Sequence, residues 1–191
     1  MIEKLLSIDK TWLRGLNHFA NSASGWQRIF EFFGIYLIYA VPVMLVLLWF
    51  WSAPAKKIVL RAAFSGLLAW LVVANIFGRI INRPRPFETN GIHEFVFHQP
   101  TYSFPSDHAT FLFALGFSFY LSGYKKLSFG VLIMATLMAI ARMGLGFHYP
   151  SDLAAGAILG VVIAWIIWLF DRPLNYLYNL LIVVAKKLRL A

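Results

Sequence analysis

The sequence predicts an all-α fold: an integral membrane helical bundle of about five transmembrane helices, preceded by an N-terminal amphipathic helix. Two observations lead there. Of the 191 residues, 60% are hydrophobic and 13% charged, with a mean hydropathy of +0.71. The apolar share is above, and the charged share below, those of an average soluble domain. Five windows then contain no charged residue at all: 32–55, 62–78, 109–124, 127–141 and 153–170. Some fall short of the roughly 20 residues that cross a bilayer, but polar residues at one end complete each short one.

In chain order, the first 28 residues differ from the remainder of the chain. Ile2, Leu5, Leu6, Trp12, Leu13, Leu16 and Phe19 recur at helical spacing, opposed by Glu3, Lys4, Lys10, Arg14 and Asn17, while Asp9 interrupts the apolar stripe. That pattern predicts a helix lying on the membrane. It lacks a small-residue cleavage site and is expected to stay in the mature protein. Residues 29–171 form the spanning bundle, and residues 172–191, apolar to Ala185 and then basic, form an interfacial tail. Short loops leave room for a single domain, residues 1–191. The only long connection, from about Asn82 to Phe104, has the length of a functional loop.

Charge placement gives an orientation. With helices alternating in direction, one face carries Lys56, Lys57, Arg61, Lys125, Lys126, Arg172, Lys186, Lys187 and Arg189 against Asp171 alone. By the positive-inside rule that face is cytoplasmic, and the C-terminus lies on it. The net charge of +9 is thereby a matter of topology, and the basic residues form no continuous stripe of the kind that nucleic-acid binding requires. Cysteine is absent, which excludes disulfides, thiol catalysis and thiolate metal sites.

Three polar clusters fall at the outer ends of the second to fifth spans: Arg83-Pro84-Arg85-Pro86, Pro105-Ser106-Asp107-His108, and Arg142 with His148 and Asp152. Ionisable residues that gather at a membrane edge are functional candidates. Ser106 is a natural N-cap, placing Asp107 and His108 in a first helical turn whose free N–H groups attract an anion. Arg85 and Arg142 offer forked donors that match phosphate. His148 precedes Pro150, a suitable first residue for the fifth span, with Asp152 in its first turn. Asp152 can accept a hydrogen bond from one imidazole nitrogen of His148 and leave the other as a nucleophile. His108 then serves as general acid.

Taken singly, each feature has a plainer role. A lone arginine at a span end anchors headgroups, and Arg28, Arg61 and Arg172 are read that way. A lone serine caps, and a lone aspartate complements a helix dipole. His18, His93 and His98 are read as surface residues, the last two near the entrance to the site. The joint occurrence at one end of one bundle is what these roles leave unexplained. A metal site built from His93, His98, His108, His148, Glu88, Glu94 and Asp152, or a proton-coupled transporter using the same charges, remains open, although the histidine spacing fits no familiar metal motif.

The stretch Arg142-Met-Gly-Leu-Gly-Phe-His148-Tyr-Pro-Ser-Asp152 resembles the third signature of the type-2 phosphatidic acid phosphatase superfamily. Pro105-Ser106-Asp107-His108 is similar to its second, usually proline-serine-glycine-histidine, and Arg85-Pro86 to the end of its first. The resemblance implies a metal-independent lipid phosphatase with no cofactor. In it His148 becomes a phosphohistidine, Asp152 orients it, His108 protonates the leaving group, and Arg85, Ser106 and Arg142 hold the phosphoryl oxygens. Three positions depart from the pattern. Gly78 stands where the first signature has lysine, so Arg79 or Arg83 is the candidate replacement. Asp107 replaces glycine, as in bacterial bacitracin-resistance enzymes acting on undecaprenyl diphosphate, and is counted with the phosphate site. Ala141 stands where serine is frequent. The resemblance favours undecaprenyl diphosphate as substrate, at the outer face of the bacterial plasma membrane. Phosphatidylglycerol phosphate and lipid A phosphates are the alternatives, and membrane lipids are the other expected partners.

Overall fold

The computed structural model describes residues 2–88, 91–94 and 101–190, with side chains from Ser7 onward. No strand occurs among them. Helix α1 (Ile2–Ala20) precedes a continuous helical run made of α2 (Ser24–Glu31), a π segment (Phe32–Tyr36), a 3₁₀ turn (Leu37–Tyr39) and α3 (Ala40–Trp51). A second run joins α4 (Ala53–Leu68), a π segment (Ala69–Ala74) and α5 (Asn75–Ile81). Then come α6 (Asp107–Leu121), α7 (Lys125–Gly144), α8 (Pro150–Leu169) and α9 (Asp171–Lys187).

Among the described residues, four stretches are long and apolar enough to cross a membrane: Ser24–Trp51, Ala53–Glu88, Lys125–Gly144 and Pro150–Leu169. The third expected span, α6, has 15 residues and a length of about 22 Å, less than the ~30 Å hydrocarbon thickness. It can be short because protein surrounds it. It packs against α4, α7 and α8, and its Leu112, Ala114, Leu115 and Phe119 are fully buried. Its N-terminus meets Asp152, whose carbonyl accepts from the Ser106 N–H at 3.1 Å. Ser122 at its other end accepts from Arg61 at 3.0 Å, so α6 runs from one end of the bundle to the other.

Close packing of α6 on α8 rests on small residues at every fourth position of α8. Asp152, Gly156, Gly160 and Ala164 all face inward. A β-carbon at Gly156 would stand 2.8 Å from the Ser106 carbonyl oxygen, and one at Gly160 would stand 2.8 Å from the Ala114 nitrogen. Only glycine lets the two backbones touch, as in other small-residue helix pairs in lipid.

At the opposite end, Arg61 contacts Asp171 at 2.6 Å and binds Ser122, joining α4, α6 and α9. Arg61 is therefore a structural tie between helices and not the headgroup anchor its position suggests. The tail forms α9, an amphipathic helix.

Helix α1 is amphipathic, with Ile8, Trp12 and Phe19 exposed. Its other face is not left to water, however. Asp9, Leu13, Asn17 and Ala20 are buried where α1 packs on α7 and α8.

Candidate functional site

The Arg142-to-Asp152 spacing is a piece of local geometry. Helix α7 ends in a Schellman motif: the Phe147 N–H donates to the Arg142 carbonyl at 3.0 Å and the Gly146 N–H to the Met143 carbonyl at 3.0 Å. Gly146 takes φ +79°, a conformation that favours glycine. Arg142 thus sits in the last turn of α7, and His148 comes immediately after the reversal. Pro150 opens α8, and the Asp152 side chain accepts from the Tyr149 N–H at 2.8 Å, as a first-turn carboxylate does.

His148 is buried. Its Nδ1 lies 2.8 Å from the Ser103 carbonyl oxygen. A carbonyl only accepts, so Nδ1 carries the proton and the neutral ring keeps its lone pair on Nε2. Nε2 lies 3.3 Å from Arg85 Nη1. Burial first, and the charges of Arg142 and Arg85 next, hold the His148 pKa well below the ordinary imidazole value. The ring is therefore neutral near pH 7.

The hydrogen bond expected between Asp152 and His148 is not formed. Asp152 Oδ2 is 4.0 Å from Nδ1, and the Ser103 carbonyl takes its place. Asp152, fully buried, instead receives Arg83 Nη1 on Oδ1 at 2.6 Å. Arg83 Nη2 also reaches Asp9 Oδ2 at 2.8 Å, and its guanidinium lies 3.8 Å over the Tyr149 ring. Arg83 is thus engaged in protein contacts.

Arg85 is buried and held on three sides, by Thr101 Oγ1 at 2.9 Å, the Phe147 carbonyl at 3.1 Å and His148. Arg142 donates to the Gly34 carbonyl at 3.0 Å and lies 5.1 Å over the Phe147 ring. Gly34 belongs to the first π segment, and irregular turns of this kind free carbonyls from the helical ladder. Ser106 occupies the N-cap position of α6 in extended conformation, but its side chain makes no cap bond. Its hydroxyl is buried and has no partner among the described residues.

Asp107 and His108 open α6 and line one end of a cavity of about 490 Å³. The remaining wall is almost wholly apolar and includes Ile38, Val41, Leu45, Leu67, Trp70 and Phe111. The Trp70 side chain, from the second π segment, hydrogen-bonds Asp107, and Arg85 and Arg142 are the charges that act on this carboxylate. His108 is near enough to act electrostatically on His148.

Arg79 is exposed. The structure therefore joins His148, Asp152, Arg85, Arg142, Ser106, Asp107 and His108 at one end of the bundle and leaves Arg79 on its surface. Of the other histidines, His18 and His93 are exposed, and His98 lies outside the described residues. Among those residues no group of three or more His, Asp or Glu side chains is placed to hold a metal ion.

Asp9, Asn17, Thr101 and the Ser103 carbonyl are site components that sequence reasoning missed. Asp9 left a trace, because it breaks the apolar stripe of α1. The Ser103 carbonyl could leave none.

A family model described as the PAP2 superfamily matches residues 58–176. The chain is 28% identical to the "Bacitracin transport permease protein BcrC" of Bacillus licheniformis, over 95% of this chain and 88% of that one. It is also 28% identical to the "Undecaprenyl-diphosphatase BcrC" of Bacillus subtilis, over 89% of this chain and 86% of that one. Among solved structures, Aquifex aeolicus LpxE superposes with a TM-score of 0.66 at 20% identity, covering 81% of this chain and 91% of that one.

Proposed function

The chain belongs to the PAP2 superfamily and is a multi-pass membrane lipid phosphatase, and from that premise we propose that it converts undecaprenyl diphosphate to undecaprenyl phosphate at the outer face of the bacterial plasma membrane through a phosphohistidine on His148. The observation that carries the mechanism is the setting of the His148 ring. Nδ1 is locked on the Ser103 carbonyl, and the Nε2 lone pair is directed beside Arg85.

In this reaction Nε2 attacks the terminal phosphorus, and the bond from phosphorus to the bridging oxygen breaks. His108 gives its proton to that oxygen, and the monophosphate lipid departs. Water then attacks the phosphohistidine, His108 takes the proton released, and inorganic phosphate leaves. Arg85, Arg142 and the Ser106 hydroxyl, with the N–H groups opening α6, hold the phosphoryl oxygens where charge develops. The apolar cavity ending at Asp107 and His108 suits a lipid chain whose phosphate end must lie beside the acid. Undecaprenyl diphosphate is chosen over phosphatidylglycerol phosphate and lipid A phosphates on the likeness to the Bacillus subtilis enzyme and on Asp107.

The test is phosphate release by the purified protein in vesicles containing each lipid, in excess chelator. Undecaprenyl diphosphate should be the best substrate, and another lipid turned over faster would displace it. His148→Ala should abolish turnover and trapped phosphoenzyme together. His108→Ala should still be phosphorylated by a substrate with a good leaving group. Equal loss in His108→Ala with every leaving group would sink the division of roles, and activity that needs a metal would sink the route.

A further inference from the structure

Arg83, in the segment between α5 and α6, and Ser151, in the first turn of α8, meet one residue of α1. Asp9 Oδ2 receives Arg83 Nη2 at 2.8 Å and the Ser151 hydroxyl, and Asp9 Oδ1 receives the Ser151 backbone N–H at 2.9 Å. That N–H is among the first-turn donors of α8 that its own turns cannot satisfy. Asp9 therefore caps α8 from another helix. Arg83 Nη1 extends the network to Ser151 Oγ at 2.7 Å and to Asp152 Oδ1 at 2.6 Å. Two turns along the same face of α1, Asn17 donates to the Gly144 carbonyl at 2.9 Å and to the His93 carbonyl at 3.0 Å. It also accepts from the His93 N–H at 2.9 Å. Asp9 and Asn17 thus grip the two ends of the reversal that carries His148: Gly144 closes α7 and Ser151 lies in the first turn of α8.

We infer that α1 is part of the catalytic apparatus and that Asp9 is a positioning residue. Its carboxylate holds Arg83 and the N-terminus of α8 so that Asp152, Tyr149 and the His148 segment keep the geometry that phosphoryl transfer needs. Asp152 cannot do this alone. One of its oxygens is taken by Arg83 and the other by the Tyr149 N–H, and neither bonds His148. The position of Arg83 between the two carboxylates is set jointly by Asp9 and Asp152. Removing Asp9 leaves Arg83 half-paired and one α8 N–H uncapped in a part-buried setting, where an unmatched group is costly. A displacement of 1 Å there is enough to lower the rate about a hundredfold.

This inference rests on the assignment of His148 as nucleophile, and the experiment separates the two. Steady-state rates per folded protein are measured in vesicles for Asp9→Asn, Asp9→Glu, Arg83→Gln, the double variant Asp9→Asn with Arg83→Gln, His148→Ala and the exposed control Lys10→Ala. Thermal midpoints are taken alongside. Asp9→Asn keeps the shape of the side chain and should fold. It should lose roughly ten- to a hundredfold in kcat with KM nearly unchanged, and Asp9→Glu should recover part of that loss. Lys10→Ala should match the wild type. In the Arg83→Gln background the Asp9→Asn change should cost much less, because the two side chains act as a unit. A wild-type kcat in Asp9→Asn, a rate loss explained entirely by a lower folded fraction, or full additivity with Arg83→Gln would each overturn the inference. Activity retained in His148→Ala would overturn the mechanism instead.

Discussion

A β-carbon at Gly78 would come within 2.8 Å of the Tyr102 ring carbon Cε2. The position where the family carries lysine is thus closed by an aromatic side chain, and a lysine there would have to displace it. Neither neighbouring arginine takes over the lysine's place in the described geometry: Arg79 is exposed, and Arg83 is held by Asp9 and Asp152. Arg79→Ala should accordingly lower kcat by less than about tenfold, an effect of headgroup anchoring. Adding Gly78→Lys should fail to raise the rate. Arg142→Lys keeps the charge but loses the fork that binds the Gly34 carbonyl and that the proposed mechanism turns on the phosphate, so a loss of about 10²–10³ in kcat is expected. Steady-state kinetics on the three variants decides, and a large loss in Arg79→Ala would return that residue to the site. The residue types of the site were legible in the sequence because histidine, arginine and aspartate gather there at one end of the spans. Their pairing was not. Which acceptor holds His148 Nδ1 depends on where the 101–106 segment runs, and a backbone carbonyl has no sequence signature.

Among the elements, the start of α8 was the most legible, because Pro150 suits a first helical position and Asp152 its first turn. The glycine cap of α7 at Gly146 was not read from the sequence, although a glycine just past a helix is a frequent stop. The π segments carried no such signal, since Phe32–Tyr36 and Ala69–Ala74 look like ordinary apolar helix. They matter because Gly34 meets Arg142 and Trp70 meets Asp107. Helix α1 was half legible. Its periodicity named an amphipathic helix, but Asn17 read as part of the polar face and Asp9 as an interruption of the apolar stripe, and the fold buries both, with Leu13, against other helices. The α6–α8 contact can be tested as an element. Gly160→Leu places a branched side chain against the backbone of α6 at Ala114, an overpacking worth about 1–3 kcal/mol. It should lower the thermal midpoint and also kcat, because the two helices present Ser106 and Asp152 at their adjoining N-termini. Gly130→Leu, where a β-carbon meets nothing within 4 Å, is the control and should change neither.

For the whole molecule, the side-chain contacts sharpen the orientation that charge alone suggested. The two ends carry nine and eight basic residues by sequence, a narrow margin. Three of the eight, however, are engaged inside the site: Arg83 by Asp9 and Asp152, Arg85 by Thr101 and Phe147, and Arg142 by Gly34. That leaves Lys4, Lys10, Arg14, Arg28 and Arg79 at the site end. At the other end Arg61 is taken up by Asp171, and Lys56 lies 6.0 Å over the Trp49 ring. Cations in short loops resist translocation, so the end with more of them stays inside. The absence of cysteine makes this simple to measure, since a single introduced thiol has no background. Glu94→Cys lies in the exposed part of the site-end connection, and Lys187→Cys lies at the end of α9. The C-terminus sits at the end away from the site, because the Leu190 carbonyl accepts from Trp49 at 2.7 Å, near the far end of α3. In intact cells a membrane-impermeant maleimide should label Glu94→Cys and spare Lys187→Cys, and permeabilisation should expose both. Labelling of Lys187→Cys in intact cells with Glu94→Cys protected would put the phosphatase site on the cytoplasmic side, where a lipid diphosphate would have to be drawn from the inner leaflet.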